Sequence, residues 1–104
     1  MNRLELEGTV CRAPDVRYSA AGIPISRFAI EHRSTQTEAG LHREVYCRIG
    51  VVASGGDLEA QVKRLTGSSR VRVRGFLDRT TNRQGEPRLV LHAVEIELID
   101  QAGD

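Results

Sequence analysis

Five arginines and one tyrosine carry the chemistry that this sequence can do. Arg33 and Arg43 bracket the polar run 34–41, and Arg79, Arg83 and Arg88 lie in and beside a second polar run, 79–87. Between the two groups stands Tyr46, in an alternating stretch where it shares parity with His42, Glu44 and Arg48, the wet face. Guanidinium groups meet phosphate oxygens in a planar fork. An exposed aromatic ring gives a nucleobase a face to stack on, at about 1–3 kcal/mol per base. Cations that track phosphates and a flat side chain that receives bases are what holding a single nucleic-acid strand requires. Each arginine taken alone is as readily a solvated surface residue, but two clusters flanking one face point to a groove.

The other aromatic residues divide. Phe28 falls on the apolar parity of its strand and is expected in the core, and Tyr18 sits beside a turn. Phe76 shares parity with Arg70, Arg72 and Arg74 but follows Gly75, so either orientation is open. Catalytic patterns are missing: His32, His42 and His92 are dispersed, no serine or cysteine occupies a nucleophile elbow, and His92 reads as structural. Gly55-Gly56 lacks the lysine and the spacing of a phosphate loop. Cys11 and Cys47 stand far apart, with no Cys or His at metal-ligand spacing, so two reduced thiols are expected and no metal or other cofactor.

The net charge of +1 hides a segregation. Residues 64–88 hold seven arginines against Asp78 and Glu86, whereas Glu95, Glu97, Asp100 and Asp104 follow with no lysine or arginine among them. Ordinary solvated strand faces would explain this, and so would an electropositive groove beside an acidic outer strand. Arg70, Arg72 and Arg74 are expected to cross-pair with Glu5, Glu7, Glu95 or Glu97 on neighbouring strands.

These residues need elements to position them. A chain of 104 residues suits a single domain spanning 1–104. No run approaches the roughly 20 apolar residues of a membrane span, and the start already alternates as a strand, so no signal peptide is expected. Leu4, Leu6 and Val10 alternate with Glu5, Glu7 and Thr9, and Gly8 at the midpoint permits a bend or a close backbone approach. A short extended piece at 16–18 leads through a turn at 19–22 to a second strand, 23–33. There the apolar parity switches from Ile23 and Ile25 to Phe28 and Ile30, which predicts a bulge or bend near Ser26-Arg27. The run 34–41 reads as a polar loop, 42–49 as a third strand continued or capped by 51–53, and 57–65 as one or two helical turns with Leu58, Val62 and Leu65 on one side. A fourth strand at 70–77, a second polar loop at 79–87, a fifth strand at 88–99 with ambiguous parity at Ala93-Val94, and a short tail at 101–104 complete the chain. Five strands with a helical piece between the third and fourth give the element order of an all-β OB-fold, a five-stranded Greek-key barrel that binds oligonucleotides through the strand two–three face and its loops. A different small barrel or an open sheet is the alternative.

The segments NRLELEGTVCRAP at 2–14, GIP at 22–24, EHRS at 31–34, EAG at 38–40 and LVLHAVEIELID at 89–100 resemble the bacterial single-stranded-DNA-binding proteins, and within that group the primosomal replication protein N (PriB) family. They span nearly the whole chain in order. The resemblance implies a homodimeric OB-fold, with the first strand as the dimer edge, that binds single-stranded DNA without sequence preference. It also implies a role in restarting stalled replication forks with the PriA helicase and DnaT as partners, in the bacterial cytoplasm at the nucleoid and away from membranes. Basic residues of the family pattern fall on Arg12, Arg17, Arg33, Arg43, Arg83 and Arg88, while one falls on Thr81, with Arg79 nearby. The family usually carries tryptophan at the position of Tyr46 and phenylalanine at that of Leu41. Tyrosine keeps the π-face with less area, and leucine keeps only apolar contact. The expected DNA contacts are therefore Arg12, Arg17, Arg33, Leu41, Arg43, Tyr46, Arg79, Arg83 and Arg88. A typical member of the wider group adds a long flexible tail with an acidic, apolar tip, and no such tail is expected here. Two other readings stand beside this one: a tetrameric general coating protein, and a protein–protein adaptor with weakened DNA binding.

Overall fold

Alternating apolar residues build six strands around one core in the computed structural model, which describes residues 1–99. The elements are β1 (Leu4–Val10), β2 (Asp15–Tyr18), β3 (Pro24–Glu38), β4 (Leu41–Ser54), α1 (Gly56–Val62), β5 (Arg70–Thr81) and β6 (Pro87–Leu98). The tail read at 101–104, together with Asp100 and Asp104, lies outside the described residues. Strands β1, β3, β4, β5 and β6 are the five expected barrel strands. They run in the order β1-β5-β6-β4-β3, and β3 returns to β1 to close the barrel. The β4–β6 pair is parallel and the others are antiparallel. The short extended piece becomes β2, laid along the start of β3.

The inward parity of each strand fills the barrel with Val10, Phe28, Ile30, Val51, Ala53, Val71, Val73, Leu91 and Ile96. α1 is shorter than the periodicity predicts, but Val62 and Leu65 are buried in this core and Leu58 packs against it. Closure depends on two glycines. At Gly8, where β1 crosses β3 through the pairs Thr9↔Glu31 and Val10↔Ile30, a Cβ would lie 2.6 Å from the Glu31 carbonyl oxygen. At Gly75 a Cβ would lie 1.8 Å from the His92 carbonyl oxygen. His32 turns its ring to the same β1–β3 seam: Nδ1 donates to the Glu7 carbonyl at 2.7 Å, and Nε2 meets Ser34 Oγ at 2.7 Å.

Three local readings of the sequence change. The bulge expected near Ser26-Arg27 is absent, because β3 pairs with β4 without interruption from Ile25↔Ser54 to Glu38↔Leu41. Ser26 takes a fully buried position in line with Phe28 and Ile30, and Ile25 faces the other way. A serine in a core slot mimics a change of parity. The real bulge is in β6, where Arg74↔Glu95 is followed by Gly75↔Ala93. Val94 is left unpaired and 67% exposed, which accounts for the ambiguous parity at Ala93-Val94.

The third change matters most for function. The two polar loops are in fact projecting two-stranded ribbons. β3 and β4 stay paired to a two-residue turn at Ala39 and Gly40, whose φ values of 53° and 78° are the positive pair that a tight hairpin turn demands. β5 and β6 stay paired to Thr81↔Pro87. Asn82 closes that ribbon, its Oδ1 accepting the N–H groups of Gln84 and Glu86 at 3.0 and 2.9 Å. Among the described residues no second layer covers either ribbon, so both faces are largely polar and exposed and no alternation marks them as strands. Backbone ladders form without it.

Candidate nucleic-acid interface

The parity that sends Phe28, Ile30, Val51 and Ala53 inward sends a second set outward. Across β3 and β4 this outer face presents the pairs Arg33↔Tyr46, Glu31↔Arg48, Ala29↔Gly50 and Arg27↔Val52. Tyr46 stands where the ribbon leaves the barrel and is 51% exposed. Its hydroxyl donates to Glu31 Oε2 at 2.8 Å, and the Arg33 guanidinium carbon lies 4.4 Å from the ring centroid, within cation–π range. The ring is thus tethered at its tip and stacked on one side. The Glu31 hydrogen bond, helped by desolvation, raises the Tyr46 hydroxyl above its ordinary pKa of 10.0, while Arg33 and Arg48 pull the other way. A cleft of about 500 Å³ opens beside it, lined by Arg33, Thr35, Glu44 and Tyr46.

The other expected contacts fall in three places. Leu41 and Arg43 lie on the opposite face of the first ribbon, opposite Glu38 and Gln36. Leu41 is 70% exposed, and Arg43 pairs with Glu38. Arg79, Arg83 and Arg88 belong to the second ribbon, where Arg79↔Leu89 and Thr80↔Arg88 put Arg79 and Arg88 on opposite faces. Arg88 pairs with Glu86 at 3.0 Å, and the Glu86 carboxyl is held below its ordinary range by an Asn82 hydrogen bond and the Arg88 charge. Arg17 on β2 pairs with Asp15 at 3.1 Å. Arg12, just past β1, lines an outer-face cleft with Arg27 and Arg48. The nine residues therefore do not share one face. The fold spreads them over two ribbons and one flank of the barrel.

Four further outward-facing residues stand outside the expected contact set. Arg27 and Arg48 carry no ion pair among the described residues; their parity, opposite to that of the core residues, was the available signal. Phe76 points outward, 42% exposed, and stacks on His92 with ring centroids 5.0 Å apart and planes within 5°. His92 is thus half of an aromatic pair on the surface, with Asp78 at 4.0 Å from its Nε2.

The charge segregation also resolves differently from the groove reading. Arg72 is clamped between Glu7 of β1, at 2.5 Å, and Glu97 of β6, at 3.1 Å. Arg74 is clamped between Glu5 and Glu95, the latter at 2.6 Å. Both guanidinium groups are raised in pKa, Arg72 chiefly by its hydrogen bond to Glu7 and Arg74 chiefly by that to Glu95. Arg70 instead faces Thr9 and makes no ion pair among the described residues. The basic β5 and the acidic end of β6 thus cancel on one face of the barrel and do not form an electropositive groove beside an acidic strand.

A family model described as "another single-strand binding protein family" matches residues 2–95. The replication restart protein PriB of Salmonella arizonae is 48% identical over 103 residues, covering 99% of this chain and 98% of its own. The solved priB structure from Ralstonia solanacearum is similar at 26% identity with a TM-score of 0.78, covering 94% of this chain and 97% of that one. The wild-type single-stranded DNA binding protein from Thermus aquaticus shares the fold, with a TM-score of 0.82 at 23% identity over 99% of this chain and 52% of that one. Among the described residues no helix is long and apolar enough to cross a membrane. By sequence match and by barrel topology, the chain belongs to the single-strand binding protein family, in its replication restart protein PriB branch, a group of non-catalytic proteins.

Proposed function

We propose that this protein binds single-stranded DNA without sequence preference, as a homodimer and a single domain over 1–104, and serves replication restart in the cytoplasm by bridging the PriA helicase and DnaT. The observation that carries the DNA-binding reading is the Arg33–Tyr46 pair at the root of a projecting ribbon. It joins a cation to a half-exposed ring, the combination that captures a phosphate and stacks its base. Arg12, Arg17, Leu41, Arg43, Arg79, Arg83 and Arg88 extend contact along the two ribbons and the adjoining flank. The dimer reading is supported by β1. Its edge away from β5 pairs with β3 only at Thr9 and Val10, and the remaining backbone groups suit a second copy of the same strand. The PriA and DnaT contacts rest on the family resemblance alone.

Titrating labelled oligo-dT and a duplex of equal length at several salt concentrations tests this reading. Affinity for the single strand should fall steeply with salt, because phosphate binding releases counterions. A flat salt response, or equal preference for duplex, refutes it. Sedimentation should give a dimer.

One observation favours a second reading, a protein adaptor with weakened DNA binding. One side of the Tyr46 ring is already taken by Arg33 and its tip by Glu31, and Leu41 offers no ring at all. Unchanged weak oligonucleotide binding after replacing Tyr46 and Arg43 with alanine would select that reading.

A further inference from the structure

Toward the barrel from Tyr46, the outer face drops into a trough. Ala29 and Gly50 oppose each other there, so two adjacent strands contribute almost no side chain. Walls rise on both sides. Arg48, opposite Glu31, stands on one side, Arg27, opposite Val52, on the other, and Arg12 comes over from the end of β1. Together they enclose a cleft of about 440 Å³. Among the described residues Asp15 is the one carboxylate lining it; it lies opposite Arg27 in the β2–β3 register, and Arg17 pairs with it at 3.1 Å. Arg12, Arg27 and Arg48 make no ion pair among the described residues. Arg27 also walls a neighbouring cleft of about 370 Å³, whose far side is Thr80 and His92, at the root of the second ribbon.

We infer that Arg27 and Arg48, with Arg12, form a phosphate track across the barrel that carries a single strand from the Tyr46 ribbon to the second ribbon. Three guanidinium groups that form no ion pair among the described residues, around a shallow floor, form an anion site, even with Asp15 held by Arg17 and Glu31 held by the Tyr46 hydroxyl beside them. A guanidinium fork suits the two free oxygens of a phosphodiester, and the Ala29–Gly50 floor leaves room for the sugar. Arg27 faces both clefts, which makes the site a passage and not a closed pocket for a free anion. The inference rests on the DNA-binding reading above and adds two residues that it does not contain.

The test compares oligo-dT binding by wild-type protein, R27A/R48A and R72A across a salt series. Each single-strand phosphate contact contributes about 0.7 to the slope of log affinity against log salt. R27A/R48A should therefore lose about 1.4 of the slope and bind at least tenfold more weakly at low salt. R72A, on the clamped face, should keep the wild-type slope. R27Q/R48Q, which retains hydrogen-bonding capacity, replaces the alanine pair if that pair does not fold. A wild-type slope in a folded double variant overturns the track. Failure of the wild-type protein to bind oligo-dT overturns the DNA-binding reading, and the track with it. Competition by inorganic phosphate at fixed ionic strength should match competition by chloride. Saturable displacement by phosphate alone would identify a free-anion pocket and overturn the strand assignment.

Discussion

Two arginine-rich faces of the same barrel behave in opposite ways. On the β1–β5–β6 face, Arg72 and Arg74 each sit between two carboxylates from neighbouring strands. On the β3–β4 face, Arg33 lies on the Tyr46 ring, while Arg27 and Arg48 meet no carboxylate partner among the described residues. Residue type is the same, and register makes the difference. A guanidinium already bonded to two carboxylates brings no net positive charge to a phosphate, whereas an unpaired one releases counterions when the phosphate arrives. The clamped face uses its cations to hold strands together, and the open face leaves its cations without carboxylate partners among the described residues.

The largest effect should come from breaking the bulge that sets the clamped register. Gly75→Ala forces a Cβ to 1.8 Å from the His92 carbonyl oxygen and should cost about 4 kcal/mol or more, or prevent folding, as read by urea denaturation. Next, Tyr46→Ala should weaken oligonucleotide binding by about 1–3 kcal/mol with little change in melting temperature. Arg74→Met on the clamped face should do the reverse, leaving oligonucleotide binding intact and lowering the urea midpoint only slightly, as for an exposed ion pair. Equal effects of the two on DNA binding would erase the distinction between the faces. Smaller still, Arg33→Ala should reduce the salt slope by about 0.7, one phosphate contact.

The smallest effect concerns the Tyr46 tether. The folded hydroxyl has a pKa above its ordinary value of 10.0, with the Glu31 hydrogen bond as the largest cause. A raised value means that the tether stabilises the fold in full below pH 10.0 and is lost as pH rises through the folded value. Tyr18 is raised in the same direction by its hydrogen bond to Glu59 at 3.0 Å. Following tyrosinate absorbance against pH, Glu31→Gln should lower the Tyr46 midpoint and leave that of Tyr18 in place. An unmoved Tyr46 midpoint would mean that the tether is not formed.

Much of the architecture was legible because it follows local rules. Alternation located the barrel strands and put Tyr46 on the wet face, and Gly8 marked a close backbone approach. The ribbons were not legible, since their ladders are backbone bonds that leave no apolar signature when both faces meet water. The misplaced bulge has a local origin: Ser26 in a core position breaks the pattern without interrupting the β3–β4 ladder.

The sequence by itself determined the barrel strands and the supply of cations, because strand periodicity and glycine placement act between near neighbours along the chain, and its matching segments carried the family resemblance. Only the tertiary structure decided which cations are free. Arg72 finds Glu7 across 65 residues of sequence, and whether a charge is cancelled or offered depends on a few ångströms that register fixes and composition does not.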